Sequence, residues 1–87
     1  MAEIKVKMSI DPFKVVQKAL EKVEKPEFPS KIVALNYDEE ADVLYVKFKH
    51  AKIIDNSPLD DEGLVLASLN EQREIVGLII MEASKLA

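Results

Sequence analysis

The sequence predicts an α+β domain: an N-terminal strand and helix, then a four-stranded antiparallel β-meander with the helix packed on one sheet face. Three observations carry this. Apolar residues recur at helical spacing only over Phe13–Val23. From Lys31 onward apolar and polar residues alternate in short runs separated by turn formers. The final run, Glu74–Met81, is apolar on both faces, so both of its faces must be covered.

Each element follows from local chemistry. Ile4, Val6, Met8 and Ile10 alternate with Glu3, Lys5, Lys7 and Ser9, the period of a half-buried strand. Asp11-Pro12 supplies a helix N-cap and a first-turn proline. Phe13, Val16, Leu20 and Val23 form one apolar stripe, with Ala19 beside it. Pro26 and Pro29 end the helix and make Lys25–Ser30 a linker. Val33, Leu35 and Tyr37 share a strand face; Asp38–Asp42 is a turn; Leu44, Val46 and Phe48 then alternate with Tyr45, Lys47 and Lys49, which gives an antiparallel hairpin. Ile53-Ile54 reads as a short edge piece before an Asn56-Ser57-Pro58 breaker. Gly63 precedes Leu64–Leu69, Asn70–Arg73 turns the chain, and the two-faced apolar strand follows.

Eighty-seven residues make a single domain, 1–87, with 1–30 as a strand–helix extension and 31–87 as the meander. A domain this small buries only about 60–65% of the surface its unfolded chain exposes, so it needs a staple. There is no cysteine and only one histidine, which excludes disulfides and thiolate zinc sites and leaves oligomerisation. The net charge of -4 argues against generic nucleic-acid binding, so nucleic acid is not an expected partner. Charge is uneven: residues 1–31 carry seven lysines against five acids, and 32–87 carry five basic residues against eleven acids. No secretory leader and no membrane-spanning run is expected, which gives a cytoplasmic protein. The 32% charged content with no cysteine is compatible with a thermophilic source.

Tyr37-Asp38, Ala41-Asp42 and Leu44-Tyr45-Val46, followed by Ile75-Val76-Gly77 and Ala83-Ser84, resemble the small prokaryotic family called domain of unknown function 2283. The resemblance covers roughly residues 32–85. It departs at Arg73, where the family usually has glycine, at Ile79, where it usually has an acid, and near Ser68, where it usually has aspartate. It implies no settled activity, and at most an association with a partner protein in toxin–antitoxin-like settings.

Four carboxylates crowd Asp38–Asp42, and Asp60, Asp61 and Glu62 form a second acidic loop. Oxygen ligands suit Mg²⁺ or Ca²⁺, so Asp38, Asp42, Asp60 and Asp61 are the metal-site candidates. The spacing lacks an EF-hand's glycine and distal glutamate, and a turn that bonds its own backbone explains Asp38 and Asp42 without a metal. His50 lies between Lys49 and Lys52 with no nucleophile nearby, and two glycines cannot build a phosphate cradle; no catalytic residue and no cofactor is expected. Tyr37 and Tyr45 with Lys47 and Lys49 are a weak stacking platform. The function read from the sequence is a self-associating protein-interaction module, most simply a homodimer, with room for an unidentified protein partner. Its surface is the last strand: Ile75, Ile79 and Met81 on one face, or Leu78 on the other. The rivals are an antitoxin-like regulator and a small metal-dependent enzyme using the acidic turns.

Overall fold

The computed structural model describes residues 10–23 and 31–86. Helix α1 spans Pro12–Glu21 and opens on Asp11, whose carboxylate accepts from the backbone N–H of Phe13 (3.2 Å) and Lys14 (3.3 Å). Those donors have no partner inside the first turn, which is why the cap is needed. The buried side is Pro12, Val15, Val16 and Ala19, with Val23 just beyond. Phe13 is not part of it: at 61% exposed it points outward. Two residues separate it from Val15, roughly 200° around the helix, so the stripe turns on Val15 and Ala19 instead.

Five strands follow: β1 (Ala34–Asp38), β2 (Val43–Lys47), β3 (Asp55–Pro58), β4 (Val65–Leu69) and β5 (Ile75–Met81), then a 3₁₀ helix over Ala83–Leu86. The sheet is wholly antiparallel with order β1-β2-β5-β4-β3. This corrects the meander in two ways. The sheet has five strands, because Asp55–Pro58, which includes the Asn56-Ser57-Pro58 read from sequence as a breaker, pairs with β4 as an edge strand. Its proline is tolerated there because an edge strand has one unpaired side. The last strand is not at the edge either: β5 inserts between β2 and β4. A strand apolar on both faces belongs in the centre, and the polar Asp55–Pro58 belongs outside. The expected N-terminal strand over Ile4–Ile10 lies outside the described residues except for Ile10.

One core joins helix and sheet. Val15, Val16, Ala19 and Val23 pack with Leu44, Val46 and Phe48, with Val65, Leu78 and Ile80, and with Ala83 of the 3₁₀ helix; Leu35 and Tyr37 pack against them. Leu44, Leu78 and Ile80 are essentially fully buried, each worth about 1.5–3 kcal/mol of transfer free energy. The register then fixes the opposite face. Asn36, Tyr45, Ile79, Leu66 and Pro58 are successive partners and form one row across all five strands. Ala34, Lys47, Gly77, Ser68 and Asn56 form the next row toward one end. Asp38, Val43 and Met81 form the row toward the other.

The β4–β5 ladder shifts register at Ser68/Leu69, so that Leu69 pairs with Ile75 and Val76 is the extra residue. Ile75 thereby packs against the helix-side core rather than on the face of Ile79 and Met81. At Gly77 a Cβ would stand 2.6 Å from the carbonyl oxygen of Val46, so a side chain there must push the β2 backbone away. Gly77→Ala should therefore lower stability by about 1–3 kcal/mol, read as a reduced urea midpoint at unchanged slope.

Candidate functional site

The acids expected to hold a metal are committed to turns. The Asp38 carboxylate accepts from the backbone N–H of Glu40 (3.1 Å) and Ala41 (3.2 Å), closing the β1–β2 turn on itself. Asp60 does the same for the β3–β4 turn, accepting from Val65 N–H at 3.0 Å while its carbonyl accepts from Gly63. Its second carboxylate oxygen is buried without a hydrogen-bond partner among the described residues, and Lys22 lines the same recess. Asp61 is exposed beside it. Both turns lie at the Met81 end of the sheet. Among the described residues, however, no group of three or more His, Asp or Glu is placed to hold a metal ion.

Asp42 differs from the rest. It adopts a left-handed conformation (φ 55°), which aspartate tolerates better than most residues. Its Oδ1 accepts from the Tyr37 hydroxyl and from Ser84 N–H (2.9 Å), its Oδ2 accepts from the Ser84 hydroxyl (2.6 Å), and its carbonyl accepts from Ala83 N–H. One side chain thus joins β1, the entry to β2 and the 3₁₀ helix after β5. The Ser84 hydroxyl first, and the Tyr37 hydroxyl second, hold its carboxyl below the ordinary value of 3.8. Tyr37 serves this clamp on the helix side of β1, while Tyr45 lies on the other face, so the two rings form no common stacking platform.

Of the four residues expected at an interface, the face away from the helix carries Ile79 and Met81, and Ile75 and Leu78 lie on the helix side. Ile79 is half-buried in the middle row and Met81 is 42% exposed beside it. Leu78 is in the helix-side core with Ile75. Tyr45 (39% exposed) and Leu66 extend the apolar row on either side of Ile79. A recess of about 390 Å³ at the β1–β2 corner is lined by Ala34, Leu35, Asn36, Tyr45, Lys47 and His50. Tyr45, Leu66, Lys47 and His50 were not among the residues singled out for the surface from sequence. The alternation of β2 places Tyr45 and Lys47 together, but only the register of β5 puts them beside Ile79.

Charge divides along the strands. The Met81 end carries Asp38, Glu39, Glu40, Asp60, Asp61, Glu62 and Glu82, with Lys85 beside Glu82. The other end is mixed: Lys47, Lys49, His50, Lys52 and Arg73 stand among Asp55, Glu71 and Glu74. There Lys49 meets Glu74 at 3.6 Å and Arg73 meets Asp55 at 3.0 Å. Asn70 and Lys49 lower the Glu74 carboxyl, and Arg73 lowers that of Asp55. Lys47 makes no ion pair among the described residues. No described helix is long and apolar enough to cross a membrane.

Residues 34–84 match the profile of a family described as a protein of unknown function (DUF2283). No curated protein and no solved structure matches the chain. The matched span includes every group of the Asp42 clamp, from Tyr37 to Ser84.

Asp42→Ala should destabilise the fold by about 2–3 kcal/mol, since it removes several hydrogen bonds to a charged group. Asp42→Asn keeps an acceptor and tolerates the left-handed backbone, so it should cost about 1 kcal/mol. Because the folded Asp42 pKa is depressed, its stabilisation is complete above the unfolded value near 3.8 and disappears as pH falls through the folded value. Chemical denaturation at stepped pH should show this acid limb in the parent chain and a smaller one in Asp42→Asn. Equal limbs would mean the clamp is not charge-assisted.

Proposed function

Starting from the fact that the chain belongs to the DUF2283 family, we propose that it works as a small protein-interaction module that self-associates through the sheet face opposite α1. The observation that carries the reading is the middle row of that face. Tyr45, Ile79 and Leu66 are contiguous across β2, β5 and β4, Met81 adjoins them, and the helix covers only the other side. Apolar area at the centre supplies affinity, and the charged ends supply specificity.

The size of the face sets the strength expected. Five strands about 4.8 Å apart, each about five residues at 3.3 Å, give a footprint of roughly 400 Å² per copy. Two copies therefore contribute an area at the low end of specific interfaces, so the dimer should dissociate in the micromolar range rather than be obligate.

Ile79→Asp puts a carboxylate at the centre of this row and should convert the dimer to monomer in sedimentation velocity. Tyr45→Glu, at a more exposed position, should do the same while leaving the unfolding free energy of the monomer, measured in urea, within about 0.5 kcal/mol of the parent. If folded Tyr45→Glu still sediments as the parent dimer, the open face is not the interface.

A further inference from the structure

We infer that the second copy lies on the open face in antiparallel orientation, related by a twofold axis that runs between the sheets, across the strands, along the row Asn36, Tyr45, Ile79, Leu66 and Pro58. This rests on the self-association reading above and adds the orientation that sets its contacts.

Two sheets stacked face to face by a twofold have two simple choices, with strand directions kept within about 30° of each other. An axis along the strands lays each end of one sheet on the same end of the other. An axis across the strands exchanges the ends. The first choice brings Glu82 near its own copy and the Asp38–Glu40 turn over the Asp60–Glu62 loop of the other copy at a sheet spacing of ~10 Å, near the Debye length, where like charges still repel. The second lays this acidic end over the mixed end, where Lys47, Lys49, Lys52 and Arg73 stand among Asp55, Glu71 and Glu74, so that acid no longer faces acid.

Shape and register point the same way. The middle row maps onto itself, so that Tyr45, Ile79 and Leu66 each meet their own copies and apolar groups meet apolar groups. The outer rows exchange: Met81, 42% exposed, comes over the position of Gly77. Val43 comes over Lys47, and the β1–β2 turn with Glu39 and Glu40 comes to the recess of about 390 Å³ beside Lys47, His50 and Asn36. Lys47, without an ion pair in its own chain among the described residues, gains carboxylates there.

The chain has no cysteine, so single cysteines report the orientation without background. Lys47→Cys and Met81→Cys are prepared separately, mixed at a concentration where the parent is dimeric, and treated with a short bis-maleimide. The products are separated by mass. In the antiparallel dimer position 47 of one copy lies diagonally across from position 81 of the other, while each position is ~13 Å along the strands from its own copy. The mixed 47–81 product should dominate, and either variant alone should cross-link poorly. A dominant 81–81 product would place the axis along the strands and overturn the orientation while leaving self-association standing. A parent chain that sediments as a monomer at every concentration overturns both.

Discussion

The carboxylate of Asp42 is the constraint on which the remaining architecture turns. Its backbone conformation lets the chain reverse into β2, its carbonyl and carboxylate seize Ala83 and Ser84 as the chain leaves β5, and the Tyr37 hydroxyl ties in β1. The last strand is therefore fixed in the middle of the sheet at its far end as well as along its ladders. The 3₁₀ helix that follows places Ala83 and Leu86 against the core beneath α1. A small domain has few apolar contacts to spare, so a hydrogen-bonded point that joins sheet, turn and helix layer carries weight out of proportion to its size.

Other polar side chains do related work at smaller scale. Asp11 caps α1, Asp38 and Asp60 close their own turns, and Asn70 accepts from Gln72 and Glu74 N–H to hold the β4–β5 turn. An acid engaged by backbone donors is poorly placed to serve as a free ligand. Asp38, Asp42 and Asp60 within the dense carboxylates of the sequence are thus explained by the geometry of reversing a chain every few residues.

Much of this was legible in advance because it is local. Asp11-Pro12 announces a helix start, and the Asp38 turn announces a hairpin. The family resemblance rested on five short runs, and three residues within them, Tyr37, Asp42 and Ser84, form one clamp. What could not be read is non-local. Strand order depends on which strand can bear an edge, and Asn56-Ser57-Pro58 resembles a loop until β4 is seen beside it. The single extra residue at Val76 moves Ile75 to the helix side, and no periodicity marks where a ladder will slip. The outward turn of Phe13 likewise depends on which helix face the sheet selects. Arg73 holds a left-handed conformation (φ 63°) in the β4–β5 turn, which its sequence does not announce.

Clamp and proposed interface are also mechanically joined. Met81 ends β5; Glu82 follows in a left-handed conformation, and Ser84, two residues on, is held by Asp42. The direction in which Met81 leaves the sheet is therefore set by the clamp, and Met81 is a main exposed apolar group of the open face. Ser84→Ala removes the hydroxyl donor without changing any charge. It should raise the dimer dissociation constant about threefold to tenfold, the equivalent of roughly 1 kcal/mol, in sedimentation equilibrium at neutral pH. Lowered monomer stability with an unchanged dissociation constant would confine the clamp to folding. A joint loss would mean that the same carboxylate that fixes the fold also shapes the surface on which a second copy rests.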